Sequence, residues 1–274
     1  MDQALTRYIP DHWGPTLASL CEGTAGTLQA IARCSPSESK EMRALAHEIF
    51  DTDIYFVPAL TEEINQALAN HTASLVRGLG HLINRVGLRA ARTPLVIAAL
   101  ETSSLLQRIN QFSYVDRCYW ATRVITDKMT SPRLLREFSE LEGFLEAIQT
   151  AYETKVSDSR EPFPDDATLV SEMMGHLIGG DSFYKEECEY AEQHALAAHH
   201  DATVKNQYPA TAEFHQFLGT IHALRCAESA AHFLAWRRDG TESEGFLEAL
   251  SEISSRRERI ASEYNEQLKI ALGD

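Results

Sequence analysis

The stretch LTEEINQALANHTASLVRGLGHLINRV, residues 60–86, decides the fold class. Its apolar side chains recur in steps of three or four residues, the spacing that places them on one face of an α-helix. A single imidazole interrupts this otherwise apolar face, which comprises Ile64, Leu68, His71, Leu75, Leu79, Leu82 and Val86. We therefore predict a long helix that packs against a core, with His71 turned inward.

Prolines and capping residues divide the rest of the chain into further helices. Ser35-Pro36-Ser37-Glu38 has the pattern of a capping box with proline at the first helical position. We expect the helix after it to turn Met42, Leu45, Ile49 and Phe50 inward. Pro15 predicts the start of a first helix, whose inward residues would be Leu17, Leu20, Leu28 and Ile31. Thr93-Pro94 and Ser131-Pro132 predict other helix starts, Gly179-Gly180-Asp181 predicts a helix end, and we expect a helix over Tyr114 to Lys128.

The loop SDSREPFPDD, within residues 156–166, contains two prolines and five charged side chains. It could separate two domains, but we favour a surface loop within one. No segment alternates apolar and polar residues over the length of a strand. The sequence therefore predicts an all-α, single-domain bundle of roughly nine helices over residues 1–274.

Composition limits the partners and the compartment. The net charge of −15 opposes binding to nucleic acid or to an anionic membrane, since both require a basic surface. No run of 18 apolar residues suggests a membrane span, and residues 1–10 lack the apolar core of a signal peptide. The five cysteines are widely spaced and form no C-x-x-C pair, which favours reduced thiols. We expect a cytoplasmic protein, and a homodimer is one assembly open to it.

Histidine is the unusual residue type, with 11 in the chain and seven of them between His176 and His232. His222 and Cys226 are four residues apart, so a helix would place both on one face, together with Leu218, Phe233 and Trp236. His176 occupies the apolar stripe of a short predicted helix. A neutral imidazole on a buried face is a natural axial ligand of haem iron.

The order His176, then His222-x-x-x-Cys226, resembles the pattern of the haem-dependent aromatic hydroxylases, bacterial tyrosine hydroxylases related to the tryptophan 2,3-dioxygenase superfamily. The resemblance implies an all-α protein whose haem iron is held by His176, with His222 and Cys226 at the haem edge and Cys226 able to form a thioether. It implies a distal histidine in the N-terminal half, for which His71 is the candidate.

The rivals of His71 for the distal position are His47 and His81. The implied reaction is hydroxylation of a small aromatic amino acid, tyrosine or a methylated tyrosine, with peroxide or dioxygen as oxidant. Arg225 neighbours the predicted haem edge, where its guanidinium could bind a haem propionate or the substrate carboxylate.

Three other interpretations remain open. A di-iron carboxylate site would draw on the carboxylates and imidazoles of the last third of the chain, which include Glu189, Glu192, His194, His199, His200, Glu213, Glu228 and His232. A diphosphate enzyme would need Mg²⁺ ligands, and Asp165-Asp166 is better explained as a helix cap. A non-catalytic interaction protein would keep His71 as a hydrogen-bonded core residue.

Overall fold

A computed structural model describes residues 9–37, 39–52, 56–83, 89–128, 139–156, 163–175, 180–192, 209–238 and 240–272. Within these ranges the chain forms ten α-helices and no strand, which confirms the predicted all-α class. The helices are α1 (Trp13–Arg33), α2 (Lys40–Phe50), α3 (Phe56–Leu82), α4 (Arg89–Gln111), α5 (Tyr114–Lys128), α6 (Ser139–Lys155), α7 (Asp166–Met174), α8 (Gly180–Glu192), α9 (Pro209–Ala235) and α10 (Gly240–Leu272). Among the residues that the structure describes, no helix combines the length and apolarity needed to cross a bilayer.

Four helices form the centre of the bundle. α1 packs on α3, α3 on α4, α4 on α9, and α9 back on α1. The long helix α10 covers α1 and α9, while α7 and α8 pack on the outer side of α4. α2, α5 and α6 form a second cluster against α3, built around Phe50, Tyr119, Trp120, Ile148 and Tyr152.

The central helices approach closely because small residues line their contacts. A Cβ atom added at Gly80 of α3 would lie 2.8 Å from Cys21 Cβ of α1, closer than real side chains come. A Cβ atom added at Gly219 of α9 would lie 3.3 Å from Val96 Cγ2 of α4. The absence of a side chain at these positions sets the spacing of the bundle.

The periodicity of α1 predicted its buried face, and that of α3 predicted the apolar part of its buried face. Ile64, Leu75 and Leu79 of α3 are buried, and Leu68 and Leu82 are half-buried. The predicted stripe position Val86 lies outside the described residues. In α1 the inward residues are the predicted ones, Leu17, Leu20, Leu28 and Ile31.

The start and inner face of α2 differ from the prediction. The capping box at 35–38 is wrong: the helix begins at Lys40, and Ser39 caps it by accepting a hydrogen bond from Met42 N at 3.3 Å. Of the four predicted inward residues, Phe50 is buried and Ile49 is half-buried against the same cluster, and Ala46 is buried beside them. Met42 and Leu45 are instead 46% and 47% exposed, because the helix turns the side of Ala46 and Phe50 toward the cluster.

Two further helix boundaries also differ. α4 begins at Arg89, so Pro94 lies inside the helix and costs it one backbone hydrogen bond. α7 ends at Met174 with Gly175 as its C-cap, and Gly180, predicted to end that helix, is the first residue of α8. The loop near 156–166 and the predicted helix start at Ser131-Pro132 lie partly or wholly outside the described residues.

Candidate functional site

α9 carries three of the predicted site residues, His222, Arg225 and Cys226, and its described side chains are mostly enclosed by the bundle. From Gln216 to Ala235, most of its side chains are buried against α1, α4 and α10. The less buried side of the helix comprises Leu218, Arg225 and Ser229, and it continues to Trp236, which is 62% exposed. Along the described part of α9, the bundle is therefore partly open on the side that carries Leu218 and Trp236.

His222 lies at the margin of this less buried side and is itself buried. Its ring contacts Phe183 of α8, with the ring centroids 4.8 Å apart. Its Nδ1 atom has no hydrogen-bond partner within the described residues. Burial, reinforced by the positive charges of Arg225 and Arg257, lowers the pKa of His222 to about 4. The imidazole is consequently neutral at physiological pH and can act as a ligand or a base.

Cys226 follows one helical turn after His222 and is buried among apolar side chains of α3, α4 and α8, including Leu79, Val96 and Phe183. This burial raises the pKa of Cys226 to about 12. The residue is a protonated thiol rather than a reactive thiolate. The structure thus places His222 and Cys226 on one helix, in the register that their spacing predicted.

Arg225 points toward α10 and is already engaged there. Its Nη2 atom donates to Glu258 Oε1 at 2.8 Å, and the same oxygen accepts from Arg257 Nη1 at 2.6 Å. The Nε atom of Arg257 in turn donates to both carboxylate oxygens of Glu228 of α9, at 3.1 Å to Oε1 and 2.9 Å to Oε2. An anionic ligand would therefore have to compete with Glu258 for Arg225.

The expectation that His71 turns inward is wrong, because its side chain is exposed. The buried arc of α3 is centred on Ala69, Thr72 and Val76, which places position 71 beyond its edge. The alternative distal histidines, His47 and His81, are also exposed. His176, the predicted iron ligand, lies beyond the end of α7 and outside the described residues.

The residues of the alternative metal sites are only partly described by the structure. Among the described residues, no group of three or more His, Cys, Asp or Glu side chains is arranged to hold a metal ion. Glu189 and Glu192 are exposed, and Glu228 is held by Arg257 and Ser254. His194, His199 and His200 lie outside the described residues. Asp165 caps α7 by accepting from Thr168 N at 2.7 Å, as its sequence position predicted.

A cavity of about 240 Å³ lies elsewhere, between α2, α3 and the start of α5. Its polar walls come from Arg43, Glu62, Asn65, Tyr114 and Arg117. Sequence reasoning missed this site, since its residues come from three separate helices and share no motif. Only the fold brings them together.

Haem fits part of the predicted site. The buried Nδ1 atom of His222, which has no partner among the residues that the structure describes, and the nearby Cys226 thiol suit a haem edge. Arg225 is instead bound to Glu258, and His71 faces solvent. No family model, curated protein or solved structure matches this chain.

Proposed function

We propose that this protein binds haem along the face of α9 that bears His222 and Cys226, and that it hydroxylates a small aromatic amino acid such as tyrosine. The observation that carries the proposal is the buried, neutral imidazole of His222, whose Nδ1 atom has no hydrogen-bond partner among the described residues. An unsatisfied buried polar atom costs about 1–3 kcal/mol, so a bound group that engages the imidazole would recover stability. The class of substrate rests on the resemblance of the His176 and His222-x-x-x-Cys226 pattern.

The contacts of α9 define what its residues would do. His222 stays neutral, since burial opposes its protonation, and it is held against the ring of Phe183. Cys226 keeps its proton, and addition of its S–H across a vinyl group would form one S–C and one C–H bond without any added reductant. His176 remains the proposed iron ligand and His222 its rival. When bound, haem would supply the activation of peroxide or dioxygen.

The test is the absorption spectrum of the protein, expressed with a haem precursor in the medium. We expect a red-brown preparation with a Soret band and one haem per chain. His176→Ala should abolish haem retention, and His222→Ala should shift the Soret band or weaken retention. His12→Ala, which removes an exposed imidazole at the start of α1, serves as the control and should retain haem fully.

Cys226→Ser separates packing from covalent attachment. If a thioether forms, haem should resist extraction by acidic organic solvent in the parent protein and become extractable in the variant. A colourless preparation that takes up no haem on titration would refute the proposed function. A colourless protein with two irons per chain would instead favour the di-iron interpretation.

A further inference from the structure

We infer that the cavity between α2, α3 and α5 is a binding site for a small organic anion, one with a carboxylate or phosphate head and a compact apolar body. The cavity has a volume of about 240 Å³, enough for a small metabolite. It lies apart from the residues assigned to haem, and the inference does not depend on haem binding.

The charge of the walls points to an anion. Arg43 and Arg117 line the cavity, and Glu62 is the carboxylate among the lining residues. Arg238, whose side chain is fully buried, pairs with Glu62 at 2.8 Å. The residues that line the cavity thus bring two guanidinium groups and one carboxylate, in a chain whose overall charge is −15. Guanidinium groups recognise carboxylate and phosphate through paired hydrogen bonds.

The remaining walls suit an apolar body. Pro36, Pro58 and Ala59 contribute apolar surface around the mouth. Arg117 is buried and lies over the ring of Tyr114, 5.2 Å from its centroid, which fixes the direction of the guanidinium. Asn65 is held by Asn110, whose Nδ2 donates to Asn65 Oδ1 at 2.8 Å, so its own amide nitrogen is the group that can donate to a ligand.

The overall negative charge of the chain opposes the approach of anions over long distances, but salt screens that field beyond about 8–10 Å at physiological ionic strength. Affinity is therefore decided by the guanidinium groups in the cavity itself. Loss of one hydrogen bond to a charged group costs about 1.5–3 kcal/mol, which corresponds to roughly a 10- to 100-fold weaker Kd.

The experiment measures binding of benzoate, phenyl phosphate and inorganic phosphate to the full chain by calorimetry at physiological salt, with benzamide as the neutral counterpart of benzoate. We expect one benzoate or phenyl phosphate per chain and no binding of benzamide; the tighter of the two anions identifies the head group. Arg43→Gln should weaken binding at least about tenfold. Arg43 is half-buried near the start of α2, so this variant is expected to fold.

Two further variants separate charge from shape. Arg256→Gln removes an exposed arginine of α10 and should leave the Kd unchanged. Ala59→Trp keeps the charge and fills the mouth, so it should abolish binding. Absence of binding by both aromatic anions, or binding that survives both Arg43→Gln and Ala59→Trp, would overturn the inference. Binding of inorganic phosphate without binding of either aromatic anion would contradict the inference that the ligand has an apolar body.

Discussion

Replacement of His222 by leucine tests whether its imidazole is as enclosed as the structure indicates. The folded protein holds the pKa of His222 at about 4, whereas an unfolded chain has the ordinary value of about 6.5. Protonation is therefore favoured in the unfolded state. The stability linked to this group is complete above about pH 6.5 and is lost as the pH falls toward 4.

The size of the effect follows from the two pKa values. Between pH 7 and pH 5 the linkage relation gives a loss of about 2 kcal/mol from His222 alone. The leucine variant has no proton to bind at this position, and it also removes the unpaired Nδ1 atom. We expect it to be at least as stable as the parent near pH 7.5, because replacing an unsatisfied polar group with an apolar one is close to neutral or favourable.

The assay is urea unfolding of the chain prepared without added haem, followed by circular dichroism at several pH values. The quantity of interest is the difference in unfolding free energy between variant and parent, since other titrating groups then cancel. His71→Gln on the exposed surface of α3 is the matched control and should leave the unfolding free energy near pH 7.5 within about 0.5 kcal/mol of the parent's. If His222→Leu changes the stability loss between pH 7 and pH 5 by less than about 0.5 kcal/mol, the burial argument is refuted.

Two other predictions concern packing and charge. Glu228→Gln should destabilise the protein by about 1.5–3 kcal/mol because it removes one of the two carboxylates that bind the buried Arg257, the other being Glu258. Arg257→Met in the same chain should restore most of that loss in a double-mutant cycle. A single variant as stable as the parent would contradict a buried pair. Gly80→Ala should cost about 1–3 kcal/mol through its clash with Cys21, with partial rescue by Cys21→Gly. An added Cβ atom at Gly26 meets nothing within 4 Å, so Gly26→Ala should instead stabilise the protein by about 0.5–1 kcal/mol. Equal effects at the two glycines would mean that α1 and α3 lie farther apart than in this structure.

Helical periodicity predicted much of the fold because apolar spacing is a local property. The bounds of α5, Tyr114–Lys128, match the prediction, and the buried residues of α1 were predicted from spacing alone. The rotation of a helix about its own axis is a tertiary property. In α3 this rotation moves His71 out of the core, and in α2 it exposes Met42 and Leu45, although all three residues occupy positions that the periodicity assigned to the inner face.

The site residues also divide into those whose placement follows from local spacing and those whose placement depends on tertiary packing. The shared face of His222 and Cys226 follows from a four-residue spacing, which any straight helix respects. The engagement of Arg225 by Glu258 could not be predicted, because the two residues are 33 positions apart and meet only when α10 packs on α9. The cavity between α2, α3 and α5 was the least predictable feature, since Arg43 and Arg117 come from separate helices and share no local pattern.

The polar side chains of α9 are unusual for a helix that is enclosed by the bundle, and they link this helix to function. A helix enclosed on nearly all sides is most stable when it is apolar, yet α9 carries the buried residues His222 and Glu228 and the half-buried Arg225. α10 neutralises two of them, because Glu258 binds Arg225 and Arg257 binds Glu228. Among the buried side-chain nitrogen and oxygen atoms described for α9, the Nδ1 of His222 is the one left without a hydrogen-bond partner. This atom, without a partner among the described residues, is the observation on which the proposed binding of haem at α9 depends.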